Sequence, residues 1–303
     1  MIDRPDGSQP FGKHALWLSG GGRRRGLTLP LWFWQAVTIG YLAVLHIAFA
    51  AGVLTGPTPS DWLLALAMFA AISFGCTVGL HRYFSHRSFK TSRPFQFLMA
   101  LLAGAAFGDP IAFSARHRRH HAQSDTEHDV HSPSQGWWRC WFGTLLDYGL
   151  GAAEMQKLVP DLLAVPELRW LHRFFFIPGV LTIAGTLWLG GFHAFAIGYC
   201  GACLLVVHAG SAVNYFCHLH GTRRFDTADR STNHPLLALV SLGEGWHNNH
   251  HYYPAACRAG FEWWEIDILY YEIKLLSWLG IVWELNEVPE RIRDRRKDAG
   301  TLI

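Results

Sequence analysis

Charge is what this sequence has least of. Only 16% of its residues are Asp, Glu, Lys or Arg, while half are apolar, which is too little charge for an ordinary soluble domain of this size. The shortage is concentrated. Residues 27–54 carry no charge, nor do 62–80 or 174–220. A net charge of +3 gives no basis for a nucleic-acid partner, and none is expected. The polar, Gly/Arg-rich opening residues offer no apolar run for a cleavable signal peptide. Within them, "SGGGRRRG" (19–26) follows no strand. It reads as a flexible basic linker beside anionic lipid headgroups, not as a phosphate loop. There is no strand–GxGxxG–helix dinucleotide motif, no four-cysteine iron–sulfur pattern and no paired set of Glu and Glu-x-x-His ligands like that of the soluble di-iron bundles. Cys200 and Cys203 form a C-x-x-C, but their flanks, "AIGYCGACLLVV", read as a membrane helix whose small residues allow close packing.

The uncharged runs are the first thing present. A helix needs about 20 residues to cross the hydrocarbon core. The runs therefore predict spans near 27–54, 62–80, 174–190 and 193–214, with "LGG" (189–191) turning the chain between the last two. Lys and Arg fall five in residues 1–25, eleven in 81–173 and ten in 221–303, and none in the two short loops between paired spans. By the positive-inside rule both termini and the middle segment face the cytoplasm. The expectation is an all-α, multi-pass integral membrane protein: four transmembrane helices under a cytosolic helical cap. A polar basic segment (1–26) precedes the membrane domain (27–286), and a charged tail (287–303) follows it. The apolar stretch 95–107 is too short to cross comfortably and is expected to be interfacial or buried. Residues 261–286 mix aromatics with charge and are expected at the interface or on the cap.

Histidine is abundant, at 18 residues, and it is clustered. His81 and His86 follow the second span. His117, His120 and His121 form an H-x-x-H-H. His218 follows the fourth span, with Asn214 four residues earlier on the same helical face. His247, His250 and His251 repeat H-x-x-H-H inside "GEGWHNNHHYYP". At about 100° per residue, each H-x-x-H-H presents its imidazoles within an arc of about 100°, and the adjacent pair diverges enough to reach two neighbouring metals. His81 and His86 differ by about 140° on a regular helix, so one could serve each of two ions. Nine imidazoles and one amide exceed what a single ion takes and suit two. His131, with Asp125 and Asp129, could orient metal-bound rings through their second nitrogen; a plain polar turn explains them as well. His46 and His208 lie alone within spans and read as packing or local hydrogen-bonding residues.

H-x4-H after the second span, H-x-x-H-H about thirty residues on and "GEGWHNNHH" after the fourth resemble the integral-membrane fatty acyl desaturases, above all the stearoyl-CoA type and its bacterial relatives. "GDP" (108–110) and "WWEID" (263–267) strengthen the likeness, which covers roughly residues 30–286. The resemblance implies a cytosolic di-iron site with ligands at His81, His86, His117, His120, His121, His218, His247, His250 and His251, and Asn214 acting through water. It also implies insertion of a cis double bond, often at carbon nine, into a saturated acyl chain carried by coenzyme A or lipid. Some positions depart from the pattern. Ala115 stands where a basic residue is expected before the second box, and residues 131–148 carry only Arg139 for coenzyme A phosphates.

Removing hydrogen from an unactivated methylene needs a metal or cofactor, here two irons with dioxygen as co-substrate. Reducing dioxygen to two waters takes four electrons, of which the substrate supplies two. A separate carrier, a ferredoxin or cytochrome b5-type protein with its reductase, is expected to supply the rest, docking at Arg118 and Arg119. A hydroxylase or monooxygenase on the same scaffold is the nearest alternative. A metal-ion transporter is a more remote one, because the clustered histidines lie beyond the spans rather than at mid-bilayer.

Overall fold

The computed structural model describes residues 31–146 and 150–294. The N-terminal segment 1–26, the start of the first span and the last residues of the tail lie outside these. Among the described residues the chain is mostly helical, and three helices are long and apolar enough to cross a membrane: Trp32–Leu54, Pro59–Ser85 and Phe176–Phe216. Their outward faces suit lipid, with Leu54 86% and Trp188 84% exposed. The first belongs to α1 (Leu31–Leu54). The second, α2 (Pro59–Ser85), starts where Asp61 accepts from the Thr58 backbone N–H at 2.8 Å, satisfying a donor that the helix leaves orphaned.

The third is 41 residues long. A straight helix of that length would extend about 60 Å, twice the hydrocarbon thickness. It is not straight. Gly191 has φ 65° and ψ −154°, a conformation almost confined to glycine, so the helix breaks inside "LGG". Ile183 before the break and Tyr199 after it pack into one apolar cluster with Leu45 of α1 and Ile72 of α2. Close approach sets the spacing: a Cβ at Gly52 would lie 2.8 Å from that of Ala196. Cys200 and Cys203 are buried in this cluster, and all six cysteines are free.

The last twelve residues of α2, Phe74–Ser85, are π-helical. Against them packs α3 (Arg93–Gly104), burying Met99, Ala100 and Ala103 and leaving Leu98 exposed, as expected of a half-buried apolar segment. Helix α4 (Pro110–Gln123) is capped by Asp109, whose Oδ1 accepts from the Ile111 and Ala112 N–H groups at 2.9 and 3.2 Å; its other oxygen holds His172. Helix α5 (Trp137–Leu146) lies beside the fourth apolar segment. Its Trp141 indole donates to His208 Nδ1 at 3.1 Å, and His208 Nε2 lies 3.0 Å from His46 Nε2. Of the two readings of these histidines, hydrogen bonding is the one seen, and it joins them across two spans. A two-residue antiparallel ladder, Lys90–Thr91 with Val282–Trp283, ties the C-terminal part of the described chain to the segment leaving α2.

Candidate metal centre

Four local structures deliver the histidines. The π-helical end of α2 carries His81 and His86; α4 carries His117, His120 and His121. His218 sits two residues beyond the helix Gly201–Phe216. The short helix His247–Tyr252 carries His247, His250 and His251. A six-residue helix has little stability of its own, and polar side chains clamp this one. Asn233 Oδ1 accepts from the Asn248 and Asn249 N–H groups at 2.9 and 3.2 Å. Asn248 accepts from the Phe225 N–H at 2.7 Å. Asn249 donates to Glu265 of "WWEID" at 2.9 Å. The "NN" between the histidines is thus the frame of the helix.

The imidazoles sort into two groups. His81, His86, His117, His121 and His250 bring ligand nitrogens within 4.8 Å of one another, and so do His120, His218, His247 and His251. Each H-x-x-H-H divides between them, its adjacent pair diverging as helical geometry requires. His121 and His250 go one way, His120 and His251 the other. The groups share a wall, with the His121 and His251 rings 4.5 Å apart.

His81 and His86 join the same group, which corrects the expectation that one would serve each ion. The physical reason is the π-helix. Its i→i+5 bonding stacks residues five apart, and the two rings lie 5.0 Å from each other. Asn214 is half-buried on its helix, but His218 lies past the helix end, so a shared helical face does not describe the pair.

Four rings meet carboxylates at Nδ1: His120 with Asp129 (2.8 Å), His218 with Asp125 (2.8 Å), His251 with Asp229 (2.7 Å) and His81 with Glu244 (2.6 Å). Donation from Nδ1 leaves the Nε2 lone pair facing the centre. Asp125 and Asp129 were visible beside the second box. Asp229 and Glu244 were missed, although Glu244 lies within "GEGWHNNHH"; an acid three residues before a histidine box was the available signal. His131 is buried and stacks on His120 at 4.0 Å. His128 is exposed beside Glu127.

Burial, reinforced by the neighbouring rings, holds His86, His117, His120, His247, His250 and His251 well below the usual imidazole range, and His121 at about 3. The rings are therefore neutral, the form that binds metal. Nε2 atoms of His81 and His250, and of His218 and His247, stand 3.0 Å apart. The Nε2 atoms of His120 and His251 are buried with no protein partner. Each pair can share one N–H between its nitrogens, and a cation that displaces that proton would take up both lone pairs. The residues fit a metal centre.

Arg118 faces inward. Its guanidinium donates to the carbonyls of Phe84, Ser85 and Leu158 and to both oxygens of Asp161, all between 2.7 and 3.0 Å. These bonds pin α4 to the end of α2. Arg119 pairs with Glu154 at 3.2 Å.

Three helices apolar enough to cross a membrane and two converging histidine groups define a membrane protein with a candidate metal site. Residues 59–276 match the family model described as fatty acid desaturase. The chain is 36% identical over 264 residues to the acyl-CoA C20 Delta5-desaturase of Anemone leveillei, covering 84% of each chain. It is 33% identical to the sn-1 stearoyl-lipid 9-desaturase of Anabaena variabilis, covering 78% of this chain and 88% of the relative. It is 35% identical to the Delta-9 acyl-lipid desaturase 2 of Arabidopsis thaliana, covering 73% of each. The chain belongs to the fatty acid desaturase family, and it is an oxidoreductase that desaturates fatty acyl chains.

Proposed function

We propose that this desaturase holds two iron ions, one in each imidazole group, and uses dioxygen to insert a cis double bond at carbon nine of a saturated acyl chain carried by coenzyme A or a lipid. The observation that carries the reading is the sorting of nine imidazoles into adjoining groups of five and four. Asn214 is assigned to the four-histidine ion through water. The position of the double bond draws on relatives named as 9-desaturases.

Two irons, when bound, would supply the oxygen activation needed to remove one hydrogen from each of two adjacent unactivated methylenes. The protein's part is positional. Neutral imidazoles provide the donors, and Asp125, Asp129, Asp229 and Glu244 fix which nitrogen faces inward. Phe113, stacked 5.7 Å from the His117 ring, and the apolar core around α3 and α4 keep the surroundings dry. The two electrons that the substrate does not supply come from a separate carrier, a ferredoxin or a cytochrome b5-type protein served by its reductase.

The same reading makes the topology four crossings, with the Gly191 break separating the third from the fourth, and both termini, the cap and the histidines on the cytosolic side. The Lys/Arg distribution supports that orientation. Expression in a host lacking the activity, followed by mass-spectrometric fatty-acid profiling, tests the reaction: a new cis-9 alkene is expected. Hydroxylated chains without an alkene would overturn it. His250→Ala should abolish product and lower bound iron; an active, iron-replete variant would refute the ligand assignment.

A further inference from the structure

The two imidazole groups differ in the charge behind them. Three of the four rings in the smaller group rest on Asp125, Asp129 and Asp229. Their other partners are neutral donors: the Ser132 hydroxyl on Asp125 Oδ1, the Arg230 backbone N–H on the Asp125 Oδ2 that also meets His218, the Asp125 N–H on Asp129 Oδ2, and Ser231 on Asp229 Oδ1. Among the described residues, none of the three pairs with a lysine or arginine side chain. Among the described residues, His81 is the one ring of the larger group that rests on a carboxylate, and that carboxylate is paired with Arg82. Glu244 Oε1 accepts from Arg82 Nη2 at 2.6 Å and Nε at 3.1 Å, while Oε2 accepts from His81. Arg82 is 3% exposed and also donates to Asp267 and to the Cys257 carbonyl. His81 and Arg82 are neighbours in sequence and share one carboxylate.

A carboxylate behind an imidazole makes it a better donor, and a guanidinium on that carboxylate withdraws the benefit. We propose that Arg82 makes the two groups unequal, the four-histidine group binding its ion tightly and the five-histidine group binding its ion weakly. The larger number of imidazoles does not reverse this, because three carboxylates without a lysine or arginine partner among the described residues stand behind one group, whereas the one carboxylate behind the other is shared with Arg82. Arg82 is thus a positioning and charge-setting residue acting through Glu244, and the inference rests on the two-ion reading above.

The test uses the full chain in detergent, stripped of metal and titrated with Co²⁺, with ligand-field absorption as the readout. Two binding steps are expected, separated by at least about tenfold, the size of effect typical of outer-shell groups. Arg82→Gln should tighten the weaker step by roughly tenfold and narrow the gap, whereas Arg82→Lys should retain it. If both variants weaken binding, Arg82 is only a scaffold and the proposal fails. Two equal steps in the wild type also overturn it while leaving the two-ion reading intact; saturation at one ion or none overturns both. Should Arg82→Gln not fold, Asp229→Asn tests the other side. It should weaken the tighter step by about tenfold to a hundredfold, and an unchanged first step refutes the proposal.

Discussion

Asp129 Oδ1 accepts the Nδ1 proton of His120 at 2.8 Å, with both side chains almost wholly buried. The carboxylate selects the tautomer and holds the ring, and its second oxygen is occupied by the Asp125 N–H. Asp129→Asn removes the charge and lets an amide N–H face the ring. Metal affinity should fall by about tenfold to a hundredfold, measured as metal retained after a fixed chelator challenge. Full retention would show that Asp129 does not support the ring.

Gly191 and Gly185 make a matched pair of substitutions. Gly191 has φ 65° in the glycine-only region; Gly185 lies within a helix, with open space where a Cβ would go. Gly191→Ala should cost about 1–3 kcal/mol, whereas Gly185→Ala should be neutral or stabilising by up to about 1 kcal/mol. Thermal unfolding in detergent measures both. Equal behaviour would mean that the break does not depend on Gly191.

Acid should destabilise the metal-free protein in two stages. The buried imidazoles have folded-state pKa values below the unfolded value of about 6.5, so the unfolded state takes up protons first as pH falls. Their contribution is present above about pH 6.5 and is lost below it, down to about 3 for His121. Burial alone would raise the Glu244 carboxyl, but His81 and Arg82 outweigh it and bring it to about 2. Its contribution is present above about pH 4 and is lost as pH falls toward 2. Denaturant midpoints of apo protein between pH 8 and 4 should fall steadily below 6.5; a flat profile would contradict neutral rings.

Arg118→Met should act on stability rather than on donor recognition. Five hydrogen bonds disappear, and a partly buried Asp161 loses one of its arginines, a loss of about 2–4 kcal/mol. Charge reversal at exposed Arg139 should leave the unfolding free energy within about 0.5 kcal/mol of its starting value. A higher KM for the electron carrier at unchanged melting temperature would restore Arg118 to a docking role.

Much of the centre was legible because it is local. Uncharged runs mark membrane helices through the cost of putting ions in hydrocarbon. The periodicity of a helix places three imidazoles of an H-x-x-H-H on one side and splits its adjacent pair. "LGG" marks a break because glycine alone reaches that backbone geometry cheaply. These consequences follow from a few neighbouring residues.

Tertiary packing decided the rest. α2 ends in π-helix where Gly75 lies so close to α3 that a Cβ there would meet the Ala103 backbone at 2.3 Å, and that geometry puts His86 beside His81. His250 meets His81 across 169 residues of sequence and Asp125 meets His218 across 93; no periodicity reaches that far. Arg118 turned inward because carbonyls at the end of α2 and the Asp161 carboxylate surround it. Composition and spacing determined that this chain gathers imidazoles at the ends of membrane helices. Which ring joined which group, and which carboxylate stood behind it, was settled by side chains brought together only when the helices packed.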